Sequence, residues 1–193
     1  NRPINFSVPT GNFGDVYAGY LAKKMGLPIN KLIVATNQND ILHRAISNGG
    51  YEVENVSETL SPSMDIQAAS NFERLLYDLN EGDDLQTIDA MKNIKENGKY
   101  IISQKKLDKI NVDFLSARMG EEEVLKTISN VYEKFKIVLD PHSAIGYGAF
   151  DKINLDGNNI VLATAHPCKF PDAIKKAINL KEDLPKELML SLI

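Results

Sequence analysis

Ser7-Val8-Pro9-Thr10-Gly11-Asn12-Phe13-Gly14-Asp15 carries the chain from an apolar strand through a glycine turn into a helix. Residues 5–8 have the content of a short buried strand, and residues 16–25 place Ala18, Leu21, Ala22 and Met25 on one helical face. Gly26 and Pro28 follow where that helix should stop, the glycine beyond its last turn and the proline unable to continue it. Gly11 and Gly14 have no Cβ, so the backbone there can approach a ligand closely. The first N–H groups of the new helix lack intrahelical acceptors and face any anion placed before it. A phosphate is held this way without lysine or arginine. The same residues also read as a plain strand-to-helix turn with Asp15 as its N-terminal cap.

Two common phosphate loops are excluded. A P-loop closes its glycine run with Lys-Ser or Lys-Thr, whereas Gly14 is followed by Asp15-Val16-Tyr17. A dinucleotide fingerprint needs Gly-x-Gly-x-x-Gly and an acidic residue ending the next strand. Here the next strand, residues 31–35, ends in Thr36-Asn37-Gln38-Asn39. No carboxylate stands there to take a ribose hydroxyl, so the anion belongs to something other than NAD or ATP.

The 193 residues suffice for one good core, and 43% hydrophobic with 25% charged residues is ordinary for a soluble globular chain. A net charge of −4 argues against a nucleic-acid partner. The densest basic run, Lys105-Lys106-Leu107-Asp108-Lys109, reads as a solvated face. No apolar run reaches the length of a membrane span, and no signal peptide opens the chain. The single cysteine, Cys168, excludes an internal disulfide and fits a reducing cytoplasm. With a start on Asn1, almost directly on a strand, the chain is expected to be a piece of something longer.

The first fifty residues read as strand-helix-strand-helix, the second helix starting near Asn39-Asp40, burying Ile41, Leu42, Ala45 and Ile46, and ending at Asn48-Gly49-Gly50. Both strands are nearly all apolar, as in a parallel sheet covered on both faces. Leu60-Ser61-Pro62-Ser63 is expected to open a longer helix carrying Phe72, Leu75, Leu76 and Leu79 and ending at Gly82, with another helix around Leu85, Ile88 and Met91. Residues 100–114 read as a connection with little regular structure. A helix with Val124, Ile128, Val131 and Phe135 should feed a strand at 137–139, and a last buried strand is expected at 160–163, with helices after Pro171 and towards Leu188. The architecture expected is α/β, a mostly parallel sheet flanked by helices.

Separated segments, in order along the chain, resemble the pyridoxal-phosphate-dependent threonine synthases, most nearly the fungal and proteobacterial branch. They are residues 9–15, Ala35-Thr36-Asn37-Gln38-Asn39-Asp40-Ile41-Leu42-His43-Arg44, Leu60-Ser61-Pro62-Ser63-Met64-Asp65-Ile66 and Asn71-Phe72-Glu73-Arg74-Leu75. Leu139-Asp140-Pro141-His142-Ser143-Ala144 and Ala163-Thr164-Ala165-His166-Pro167 with Lys169-Phe170-Pro171 extend the match almost to the end. The resemblance implies the tryptophan-synthase-β-like fold (fold type II) and pyridoxal 5'-phosphate as cofactor. It implies that Gly11, Asn12, Phe13, Gly14 and Asp15 form the cup for the cofactor phosphate, and that the Thr164 hydroxyl meets the pyridine nitrogen. Asp15, a carboxylate beside a phosphate, is expected to cap the helix or turn its charge away.

Other polar groups carry two readings. Asn37, Asn39 and Asp40, at a strand end facing a helix start, can reach substrate or, for Asn39, cap the helix. Asp140 and His142 flank Pro141 after a strand and can line the same cleft, but read first as a structural turn and cap, as Ser61 and Ser63 read as helix caps. His166 and Cys168 lack a second pair at ligand spacing, so no metal site is expected, and Cys168 reads as buried filler.

The family holds its cofactor on a lysine in a Ser-Phe-Lys-Asp type motif, and none occurs here. Phe135-Lys136 runs into Ile137-Val138, and Lys169 lies between Cys168 and Phe170. Residues 1–193 are therefore expected to be the carboxyl-terminal part of the large cofactor-binding catalytic domain, with the Schiff-base lysine upstream. The resemblance implies that the intact enzyme converts O-phospho-L-homoserine and water to L-threonine and phosphate, and that this chain alone is inactive. Two readings stand beside it: threonine dehydratase or another lyase of the fold, and a non-catalytic threonine-synthase-like protein that binds phosphorylated metabolites.

Overall fold

The computed structural model describes residues 2–178. At its centre is a four-stranded, all-parallel sheet built from β1 (Ile4–Pro9), β2 (Ile29–Thr36), a strand at Phe114–Arg118 and a strand at Asn158–Val161. With the short strands β3 (Gly50–Glu52) and β4 (Lys99–Ile101), which pair antiparallel, the outer two are β5 and β6. The order is β5-β2-β1-β6, with Phe6 beside Leu32 and Ile160 in register.

Side chains of β2 alternate between two cores. Leu32 and Val34 join Val8, Ile41, Leu42, Phe72 and Phe114 on one face, while Ile33 and Ala35 join Ala117, Val124, Ile128, Ala144 and Ile145 on the other. The first face is covered by α1 (Gly14–Lys24), α2 (Ile41–Asn48), α3 (Phe72–Leu79), α4 (Asp84–Asn97) and α5 (Gln104–Asp113). The second is covered by α6 (Glu121–Phe135), α7 (Pro141–Ile153) and α8 (Pro171–Ile178). Burial on both faces explains the unbroken apolar run Leu32-Ile33-Val34-Ala35 of β2, each fully buried large side chain contributing about 1.5–3 kcal/mol.

Several expectations are corrected. Helix α1 turns Phe13, Val16 and Tyr17 inward, and leaves Leu21 41% and Met25 87% exposed. Both stripes have helical spacing, but the inward one carries the rings: Phe13 lies 5.3 Å from Phe72 and 5.8 Å from Phe114. Leu60-Ser61-Pro62-Ser63 opens no long helix. A single 3-10 turn at Pro62–Met64 precedes a loop, and α3 starts only at Phe72. Here Asp65 accepts from the Thr59 N–H at 2.9 Å and the Thr59 hydroxyl at 2.6 Å, a local bonding pattern that competes with the helical ladder. The stretch 100–114 is regular: it contains α5, which buries Leu107 and Ile110, and leads into β5. Residues 137–139 form no strand, because Lys136 ends α6 in a left-handed conformation and Pro141 already opens α7. The last strand is β6, two residues earlier than expected, and as an edge it leaves Ile160 41% exposed. The helix expected towards Leu188 lies outside the described residues.

Candidate functional site

A pocket of about 250 Å³ opens at the carboxyl ends of β1 and β6, lined by the 9–15 loop together with Ser63, Met64, His142, Thr164 and Ala165. Open α/β sheets hold their ligands at this edge. The loop is anchored from below. Thr10 donates its N–H to the Ala35 carbonyl at 2.8 Å, and the Asn12 carbonyl accepts from the Asn71 backbone at 3.0 Å and its side chain at 3.2 Å. Phe13 is the helix N-cap, with φ of 72° and a fully buried ring. A bulky residue in the left-handed region is uncommon, and its cost here is offset by the aromatic cluster its ring enters.

What this leaves free is a set of donors. Gly14 N–H is taken by the Asn12 side chain at 3.0 Å. Among the described residues, the N–H groups of Asn12, Phe13, Asp15 and Val16 have no acceptor. Gly11 lies against the 3-10 turn: a Cβ there would sit 2.8 Å from the Ser63 carbonyl oxygen. Unpaired N–H groups at the start of an eleven-residue helix, on a backbone that admits no side chain at Gly11, fit the phosphate of a cofactor such as pyridoxal phosphate. Asp15 does not cap: it sits exposed in the first turn of α1, where a carboxylate meets the positive end of the helix dipole.

Thr164 borders the same pocket from beyond β6, exposed to it, so the two expected cofactor contacts face one cavity. Asn37, Asn39 and Asp40 do not line it. Asn37 and Asn39 are buried and both donate to Asp65, at 2.8 and 2.9 Å, and Asn39 leaves the helix start uncapped. Asp40 pairs with Arg44 at 2.8 Å and Arg118 at 3.1 Å. These three hold the 57–67 loop and α2 in place. Ser61, expected as a cap, instead accepts from Asn37 at 3.0 Å.

Asp140 does cap α7, accepting from the His142 and Ser143 N–H groups, and the same carboxylate oxygen lies 2.9 Å from His142 Nδ1. The Ser143 hydroxyl donates to its second oxygen. Burial pushes the Asp140 carboxyl up, but bonds from the His142 ring, the Ser143 hydroxyl and the His142 backbone outweigh it and hold the group below its ordinary range. Asp140 thus caps the helix, while His142, but not Asp140, lines the pocket. Ser63, Met64 and Ala165 also line the pocket, and only their position beside recognised segments signals it. Among the described residues no lysine lines it. Among them, too, no group of His, Cys, Asp or Glu is placed to hold a metal, and no helix is long and apolar enough to cross a membrane. Cys168 is buried, and its N–H meets His166 Nδ1 at 3.3 Å.

Solved structures share this fold. The threonine deaminase of T.th. matches with a TM-score of 0.52 at 12% identity, over 84% of this chain and 45% of that one, which establishes the architecture. A PLP-bound threonine synthase from Brucella melitensis matches with a TM-score of 0.92 at 48% identity, over 97% of this chain and 40% of that one. The parallel sheet, its covered faces and these neighbours define the fold of the pyridoxal-phosphate enzymes of fold type II. A family model described as "Threonine synthase, C-terminal" matches residues 143–190. Threonine synthase of Pseudomonas aeruginosa is 45% identical over 179 residues, 92% of this chain and 38% of that protein. The chain belongs to the threonine synthase family, and spans about two fifths of the length of the curated relatives it matches.

Proposed function

We propose that this chain is the carboxyl-terminal part of the cofactor-binding domain of a threonine synthase, converting O-phospho-L-homoserine and water to L-threonine and phosphate in the cytoplasm. The observation that carries this is the single pocket faced by both the unpaired N–H groups of residues 12–16 and the Thr164 side chain. Pyridoxal 5'-phosphate, when bound, supplies an electron sink for carbanion character in the substrate. The N–H groups of Asn12, Phe13, Asp15 and Val16 hold its phosphate, and Gly11 and Gly14 keep side chains away from it. Thr164 offers a neutral hydroxyl to the ring nitrogen, leaving that nitrogen without a full ion pair. With no lysine among the described residues of the pocket, the group that anchors the cofactor and shuttles the proton is supplied from upstream.

The test is direct. The 193-residue chain mixed with pyridoxal phosphate is expected to give no specific borohydride-reducible adduct and to release no phosphate from O-phosphohomoserine. Adding the upstream half of the enzyme is expected to restore both. Turnover by the chain alone would place the essential lysine within these residues and overturn the reading.

A further inference from the structure

We infer that His142 is a side-chain ligand of the phosphorylated molecule in the pocket, donating a hydrogen bond from Nε2 to one of its anionic oxygens while Asp140 accepts from Nδ1. This rests on the pocket being a phosphate-ester site. His142 is 3% exposed, lines the pocket, and packs its ring 4.9 Å from that of Phe170. Its Nε2 is buried with no partner among the described residues. Nδ1 is accounted for: an ionised carboxylate only accepts, so the hydrogen between Nδ1 and Asp140 Oδ1, 2.9 Å apart, belongs to the ring. That assignment follows from the hydrogen-bond network around the ring. A buried polar atom left without a partner is costly, and a neighbouring ligand removes the cost.

Charge points the same way. Among the described residues lining the pocket, Asp15 is an anion and His142 is the one side chain able to become a cation. A phosphate held beside Asp15 by N–H groups alone meets repulsion without a counter-charge. An imidazolium balanced from behind by Asp140 supplies that charge and a second donor at once, and a charge-assisted bond is the stronger kind.

The test is side-chain nitrogen NMR on the 193-residue chain, with the backbone amides of residues 12–16 followed in the same samples. The probes are inorganic phosphate and 4-deoxypyridoxine phosphate, which keeps ring and ester but has no aldehyde to react with lysines. The expected result is that the loop amides shift and His142 Nε2 moves from the unprotonated to the protonated range with the same midpoint. A lower midpoint for the deoxypyridoxine ester assigns the ester as the ligand, and equal midpoints assign the free anion; either supports the contact. His142→Gln, which keeps a donor, should bind more tightly than His142→Phe, whose loss is expected to be ~10–100-fold. Shifted loop amides with an unmoved Nε2 would overturn the role of His142 and leave the pocket standing. Unmoved loop amides at tens of millimolar probe would overturn the phosphate site itself, and this inference with it.

Discussion

Two glycines in the loop look alike in sequence and differ in the space around them. A Cβ on Gly11 would lie 2.8 Å from the Ser63 carbonyl oxygen, which is backbone held in a 3-10 turn. A Cβ on Gly14 would meet the Asn12 Oδ1 at 3.1 Å and the Asn71 Nδ2 at 3.3 Å, both ends of side chains that can move aside. Gly11→Ala is therefore expected to lower stability by about 1–3 kcal/mol and to displace the loop, while Gly14→Ala costs less than about 1 kcal/mol. Thermal melts of the two variants under one buffer check the order, and a larger loss for Gly14→Ala would refute it.

Between elements, the 57–67 loop is fastened to the end of β2 through one carboxylate. Asp65 receives Asn37, Asn39 and two donors of Thr59, and the turn it stabilises delivers Ser63 and Met64 to the pocket. Each buried donor left unpaired costs about 1–3 kcal/mol, so Asp65→Ala is expected to lose roughly 3 kcal/mol in urea unfolding, and Asp65→Asn less. Backbone exchange at Met64 and Ile66 should quicken in step. This network was closed to sequence reading because its partners are spread over some thirty positions, and each of its residues alone has the composition of a cap. The elements that were legible, β1, β2, α2 and α6, are those whose apolar residues follow one period without interruption. Helix α5 was hidden because charged residues surround a stripe of only Leu107 and Ile110. The glycine turn that leads from β1 into α1 was legible from Gly11 and Gly14, whereas the inward face of α1 was not, because two stripes of equal spacing compete and only the tertiary position of Phe114 favours the aromatic one.

For the molecule as a whole, acid is the expected weakness. His43, between α2 and β5 with Nδ1 2.9 Å from the Ser116 hydroxyl, is held below the ordinary 6.5; burial lowers it most, and Arg118, Lys152 and Arg44 act with burial against the opposing charge of Asp40. A group whose folded value is depressed contributes stability above its unfolded value, and loses it as pH falls through the folded one. Melting temperature should therefore be level above neutrality and decline below about pH 6.5. His43→Gln is expected to flatten that first decline and leave a second one below about pH 4, where the unfolded chain's Asp140 takes up a proton that the folded carboxylate, held below its ordinary range, still refuses. A melting curve unchanged between pH 7 and 5 would remove His43 from the account. The position of β6 bears on time rather than energy. Its pairing sets Ile4 beside Asn158, and the Asn5 amide reaches Asn159 across 154 positions. At a synthesis rate of roughly 5–20 residues per second, β1 leaves the ribosome about 8–30 s before the strand that covers its open side. Contacts so distant in sequence also form slowly once both ends exist. For that interval an apolar, unpaired backbone edge faces whatever shares the compartment, which makes the nascent chain a natural client for chaperones.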